Sequence, residues 1–258
     1  MEGLNSEPGK NNDRRISRRE FLQDTGLLIT GTALSSFLLL SACQKNTEGT
    51  VSTESSQTVE PSDEVIYSSD TFRRDRIPPE QIETKVLPVL HEGVVPEIAH
   101  PDWKLTITGL VENEKVLTYA EFTALPRVKV FSDVHCVTGW TKLNNLWEGI
   151  SSQAIVDLAR IKPEAKFVMV KSDYWQYSAN LTLDDFLEED VLFAVKHDEL
   201  DLNAEHGAPV RLVVPKLYFW KSVKWVTGIE FSDNEHPGYW ETRGFHYRGD
   251  PWFNERYR

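Results

Sequence analysis

Asp133-Val134-His135-Cys136-Val137-Thr138-Gly139-Trp140 carries one of only two cysteines in a chain of 258 residues, with an imidazole beside the thiol and a hydroxyl two residues on. The other, Cys43, closes Leu40-Ser41-Ala42-Cys43, the pattern at which bacterial signal peptides are cut and the new N-terminal cysteine is acylated. Cys43 is therefore expected to carry a lipid and cannot be counted on for a disulfide. A lone thiol sent to an oxidising compartment is either shielded in the core or chemically employed. Thiolates are soft ligands, suited to soft or high-valent metals. Zinc or an iron-sulfur cluster held by protein alone needs three or four Cys and His together, whereas the seven His here are scattered, with no Cys-x-x-Cys. If Cys136 holds a metal, further sulfur must come from outside the protein, and a cofactor with its own dithiolene meets that need. On the octapeptide alone, an inert buried thiol is an equally open reading. A thiol nucleophile served by His135 fits less well, because adjacent strand residues point to opposite faces.

The second constellation is electrostatic. Between Glu205 and Glu230 there is no carboxylate, although Asp and Glu outnumber Lys and Arg by 40 to 28 over the chain. The same stretch holds Arg211, Lys216, Lys221 and Lys224. If residues 221–231 form a strand, its period of two puts Ser222 and Lys224 on one face. A hydroxyl beside an ammonium, with Arg211 near for bidentate contact, suits a phosphate group. A strand whose solvent face is merely basic is the plainer alternative.

The elements that must position these groups are mostly strands. Trp103, Leu105 and Ile107 alternate with Lys104, Thr106 and Thr108 before Gly109, as in a half-buried strand. Thr118 with Glu121 forms a capping box for a short helix that Pro126 stops. Residues 128–134 read as a strand delivering His135 and Cys136 to its end. Ser151 or Ser152 caps a helix with Ala154, Ile155 and Leu158 on one face, closed by Pro163. Residues 167–170, 191–195, 210–214 and 221–231 read as further strands, and 183–188 as a helix. Strands outnumber helices without regular alternation, so the fold class expected is α+β.

Composition and targeting frame the rest. Ser17-Arg18-Arg19-Glu20-Phe21-Leu22-Gln23 is a twin-arginine signal, read by the translocase that exports folded proteins. The apolar run after it, residues 27–42, falls short of the ~20 residues that span a bilayer and reads as a removable segment. Folded export serves proteins that acquire a cofactor before crossing. Residues 1–42 are thus expected to be a lipoprotein signal peptide, residues 43–70 a lipidated Ser/Thr/Glu-rich tether, and residues 71–258 a catalytic domain holding all eight Trp. The signal carries equal numbers of cations and anions, so the mature chain keeps the net charge of -12, which disfavours nucleic acid as a partner.

The segments His135-Cys136-Val137-Thr138-Gly139-Trp140, Gly207-Ala208-Pro209-Val210-Arg211-Leu212-Val213-Val214-Pro215 and Lys221-Ser222-Val223-Lys224, in that order, resemble the catalytic domain of the sulfite oxidase family of molybdenum-pterin oxidoreductases. The likeness runs from Ile77-Pro78-Pro79 to Gly249-Asp250-Pro251-Trp252 and includes exported, stand-alone members similar to the periplasmic methionine sulfoxide reductase catalytic subunit. It implies the strand-rich sulfite oxidase fold. It further implies that Cys136 ligates molybdenum and that His206, Arg211, Ser222 and Lys224 hold the pterin and its phosphate; His135 and the loop residue His91 are added as cofactor-facing candidates. Ser172-Asp173-Tyr174-Trp175-Gln176-Tyr177 resembles the family segment with a Tyr near the metal. Tyr177 aligns with it, although two extra residues leave the choice against Tyr174 open. The chemistry implied is two-electron oxygen-atom transfer to or from a small molecule such as sulfite or a sulfoxide. With no Cys-x-x-Cys-His and no length for a haem domain or a dimerisation domain, a monomer is expected, exchanging electrons with an external quinone-linked membrane protein or cytochrome. It would be exported and lipid-anchored at the outer face of the cell membrane or in the periplasm. A ligand-binding lipoprotein with a buried structural Cys136 is the rival class.

Overall fold

The computed structural model describes residues 64–258. The twin-arginine segment, Cys43 and most of the expected tether lie outside the described residues. Among the described residues, no helix is long and apolar enough to cross a membrane.

Twelve strands alternate with short helices and 3-10 turns. They are β1 (Val65–Tyr67), β2 (Ile82–Thr84), β3 (Lys104–Gly109), β4 (Lys115–Thr118), β5 (Arg127–Cys136), β6 (Trp140–Ser151), β7 (Phe167–Lys171), β8 (Ser178–Thr182), β9 (Leu192–His197), β10 (Leu200–Asp201), β11 (Arg211–Val213) and β12 (Gly228–Ser232). Helices are α1 (Tyr119–Thr123), α2 (Ser152–Ala159) and α3 (Leu183–Phe186). A seven-stranded sheet runs β1-β5-β6-β9-β10, with β11 also on β9 and β2 on β6; a five-stranded sheet runs β4-β3-β12-β7-β8. Pairing is mixed, with β1/β5, β2/β6 and β3/β12 parallel and the others antiparallel. This is the α+β class expected.

Side-chain periodicity explains where the core sits. On β9, Phe193 and Val195 join the larger apolar cluster with Leu105, Ile107, Val168 and Phe231 of the five-stranded sheet. The intervening Leu192 and Ala194 point the other way, to a second cluster with Val130, Val134 and Trp147. β9 is therefore covered on both faces, as a central strand must be. Gly149 sits where the β6/β9 register slips, and a Cβ there would lie 2.1 Å from the Phe193 carbonyl oxygen.

Local signals mostly held. Thr118 and Glu121 form the full capping box, and Ser151 is the cap of α2. That helix stops at Ala159 because Arg160 turns left-handed, four residues' reach before Pro163 could act. Two expectations need correction. The expected tether ends early: Val65–Tyr67 pairs in parallel with β5, and Asp70 is buried, bonded by Arg73 Nε and Trp252 Nε1 at 2.8 Å each. Burial opposes the Asp70 anion, but the nearby His135 imidazole and the hydrogen bonds from Trp252 and Arg73 outweigh it and hold the carboxyl below its ordinary value.

The strand expected over 221–231 exists only from Gly228. Before it, Phe219–Lys221 is a 3-10 turn and Trp225 is left-handed. Lys221 is drawn fully inside to Glu241, which breaks the in-out alternation, and only two backbone bonds tie the segment to its neighbour, Leu212 N to Val223 O and Val226 N to Val210 O.

Candidate functional site

Strand β5 delivers Cys136 to the tip of the β5/β6 hairpin, where Val137, Thr138 and a left-handed Gly139 reverse the chain and Gly139 N donates to Cys136 O. The side chain is 7% exposed and opens onto a cavity of about 310 Å³. Its sulfur accepts a hydrogen bond from Thr138 Oγ1 at 3.2 Å. Burial pushes the thiol up, against the Thr138 bond and the charge of Arg256. Arg256 Nη1 in turn donates to Val137 O at 2.8 Å, bracing the turn that carries the thiol.

The same cavity receives Arg211 and Lys224. The guanidinium of Arg211 is buried, donating to His206 O at 2.9 Å and Ser222 O at 3.0 Å, with its carbon 4.2 Å from the centre of the Phe219 ring. Lys224 donates to Leu90 O at 2.7 Å and Glu205 O at 2.8 Å. Neither has a carboxylate within ion-pair distance among the described residues. Burial therefore pulls Arg211 down to about 9, and burial with the nearby Arg211 charge pulls Lys224 down to about 7. His206 is lowered by burial and by both cations. Gly207 lets these groups close up: its φ is +106°, and a Cβ there would lie 3.0 Å from Lys224 and 3.1 Å from Arg211. A buried guanidinium beside a half-buried ammonium, neither ion-paired to a carboxylate, makes a seat for an anion.

Of the residues expected from sequence, Cys136, Tyr177, His206, Arg211, Ser222, Lys224 and His91 line the cavity. Ser222 lends its carbonyl to Arg211 and its hydroxyl to Val214 N at 2.9 Å. Tyr177 lines the wall and Tyr174 does not, because Trp175 and Gln176 both turn left-handed between them. Tyr177 OH donates to Trp220 O at 2.8 Å, and its ring stacks on Tyr239. His91 stands exposed at the mouth. His135 is the exception: it is fully buried away from the cavity, with Nδ1 3.0 Å from Thr141 Oγ1 and Nε2 3.7 Å from Asp70 Oδ2. The alternation along β5 that brings Cys136 to the cavity turns its neighbour from it.

Sequence reasoning missed Trp140, Trp220, Trp240 and Phe245 as walls, and Glu241 as the anchor beneath Trp220. Trp140 was in the octapeptide; the last three come from a distant C-terminal segment with no motif of their own. Buried Trp140 Nε1 has no partner in the protein.

Among the described residues, no group of three or more His, Cys, Asp and Glu is placed to hold a metal ion unaided. The donor set instead fits a metal that brings its own ligands on an anionic organic carrier: one thiol, and a cation pair not ion-paired to any carboxylate, at the same cavity. Such a mixed-sheet fold with one sulfur donor and an anion seat defines a class of cofactor-binding redox domain. The chain belongs to the oxidoreductase molybdopterin-binding domain family, whose pattern matches residues 92–240. It is 45% identical over 196 residues to Uncharacterized oxidoreductase YuiH of Bacillus subtilis, covering 74% of this chain and 98% of that protein. It is 28% identical to the protein-methionine-sulfoxide reductase catalytic subunit MsrP of Campylobacter jejuni, covering 55% of this chain and 52% of that one. Sulfite oxidase of Arabidopsis thaliana is 25% identical over 60% of this chain and 48% of its own. The sulfane dehydrogenase SoxCD of Paracoccus pantotrophus shares the fold, with a TM-score of 0.54 at 24% identity over 59% of this chain and 45% of that one. The chain thus spans nearly all of YuiH but about half of the others.

Proposed function

We propose that this protein is a molybdopterin-dependent oxidoreductase of the sulfite oxidase type, moving an oxygen atom and two electrons to or from a small substrate such as sulfite or a sulfoxide. The observation that carries the reading is that Cys136 and the uncountered Arg211–Lys224 pair open onto one cavity. When bound, the molybdenum-pterin cofactor supplies the two-electron redox chemistry. Cys136 offers its sulfur to the metal, with Thr138 donating to that sulfur and Arg256 bracing the turn. Arg211, Lys224, Ser222 and His206 hold the phosphate end. Trp140, Trp220, Trp240 and Phe245 keep water from the sulfur. Tyr177 stays protonated, because burial and then the Glu241 charge push its phenol up; its one hydrogen is held by Trp220 O and reaches a substrate only by exchanging that acceptor.

Electrons pass to or from an external protein, a quinone-linked membrane protein or a cytochrome. Two features support this: the expected N-terminal lipid on Cys43, and a relative described as a catalytic subunit. Export by the twin-arginine route and anchoring at the outer face of the cell membrane or in the periplasm complete the reading. The test is elemental and pterin analysis of protein matured in its native host, alongside Cys136→Ser. We expect molybdenum and pterin near one per chain in the parent, loss of the metal in the variant, and turnover of sulfite, sulfoxides or N-oxides with a redox dye. A parent with neither metal nor pterin would leave a lipid-anchored binding protein.

A further inference from the structure

One side of the cavity is formed by a strap, residues 88–94, that lies in no strand or helix and contributes Pro88, Leu90, His91 and Glu92 to the lining. Two side-chain bonds to its backbone hold it. Lys224 Nζ donates to Leu90 O at 2.7 Å, and Trp175 Nε1 donates to Val94 O at 3.0 Å. The indole of Trp175 also covers Gly93 so closely that a Cβ there would lie 2.1 Å from the ring. Gly93 has a φ of +63°, so conformation and space both require glycine. Trp175 and Gln176 are themselves left-handed, at φ 61° and 53°, a costly backbone for two consecutive L residues. Ser172 N to Tyr177 O closes the base of that turn. Trp175 is nonetheless 48% exposed and serves no core. Its ring and N–H are spent on the strap.

We propose that Trp175 is a positioning residue that latches residues 88–94 shut over the cleft, so that the strap and Lys224 together retain the phosphate-bearing cofactor. This rests on the cofactor assignment above. Cofactor entry requires the strap to lift, and Lys224, freed from Leu90 O, then has a phosphate to turn to. Trp175 is the hold that persists on both sides of that exchange.

The test uses the full protein, cofactor-loaded and cofactor-free, as the parent and as Trp175→Ala, Trp175→Phe and Gly93→Ala. Thermolysin, which cuts before apolar residues such as Leu90 and Val94, reads strap opening; pterin fluorescence in the filtrate of the loaded protein reads retention. Trp175→Ala and Gly93→Ala should each speed cleavage within the strap about tenfold or more with circular dichroism unchanged. Pterin release should accelerate in parallel, and Trp175→Phe, which keeps a ring over Gly93 but loses the N–H, should fall between. Parent-like strap cleavage in both opening variants overturns the latch, as does cleavage that rises evenly along the whole chain. Faster strap cleavage with parent-like pterin release overturns retention. A parent that carries no pterin defeats the cofactor assignment instead, while cleavage of the cofactor-free variants still decides the latch.

Discussion

Lys221 Nζ lies 2.5 Å from Glu241 Oε1, and neither side chain has any exposure to solvent. Glu241 Oε1 also faces Trp220 Nε1 at 3.4 Å, and Lys221 bonds Asn180 O, Asn180 Oδ1 and Tyr247 O. One ion pair thus joins β8, the Trp220 turn and the C-terminal segment behind the cavity wall.

Removing Lys221 leaves Glu241 as a buried charge with no cation. Lys221→Met should cost about 3–5 kcal/mol of unfolding free energy, because desolvation of the remaining carboxylate is no longer offset. Urea denaturation of the cofactor-free protein measures it. A loss below about 1 kcal/mol would mean that the pair is open to water in solution.

Lys224 gives the cofactor-free protein a defined pH dependence. Its folded value of about 7 lies below the ordinary 10.5, so between these limits the unfolded chain binds the extra proton. Stability then rises with pH from about 7 to 10.5 and is lower on the acid side, where the folded site must carry the partly buried charge. Denaturation midpoints at several pH values should show that rise in the parent and a shallower one in Lys224→Met. A parent profile that falls over the same window contradicts the half-buried, unpaired placement of Lys224.

Lys224→Glu sets a carboxylate against the expected phosphate and should lower pterin occupancy of protein matured in cells by about tenfold or more. Full occupancy would show that the basic groups hold nothing.

Tyr177→Phe removes the bond to Trp220 O, at a stability cost of about 1 kcal/mol. Since the phenol stays protonated far above neutrality, the parent's pH-rate profile should show no limb between pH 6 and 10 that vanishes in the variant. Turnover should still fall, by about tenfold or more, if the hydroxyl exchanges Trp220 O for the reacting group as its acceptor. A limb that disappears with the hydroxyl would make Tyr177 a proton-transfer group.

Exchanging Arg18 and Arg19 for Lys should stop export and leave loaded protein in the cytoplasm, read by fractionation and metal content. Normal export would remove the twin-arginine assignment.

Short-range chemistry was legible in the sequence: the Thr118–Glu121 capping box, the alternation of β3, and the Ser151 cap depend on residues a few positions apart. Cys136, Arg211, Ser222 and Lys224 could be singled out as candidates in the same way, since an unmatched thiol and an acid-free basic stretch are properties of the chain itself. Strand β6 was not legible, because Trp140–Ser151 buries Thr141 and Asn145 alongside its apolar residues and so lacks a clean period of two. Thr141 is satisfied by Gln81, sixty positions away, and by His135, and Asn145 by Ser132 O, Lys142 O and His197.

Tertiary structure alone decided which cations face the cavity. Lys216 pairs with Glu188 and Lys221 with Glu241, while Arg211 and Lys224 find only carbonyls. The carboxylates that neutralise the first two come from distant segments, so residue types could announce a seat for an anion but not select its members. A charge becomes functional or structural according to the partner that folding brings to it, and that partner lies beyond the range over which sequence neighbours act.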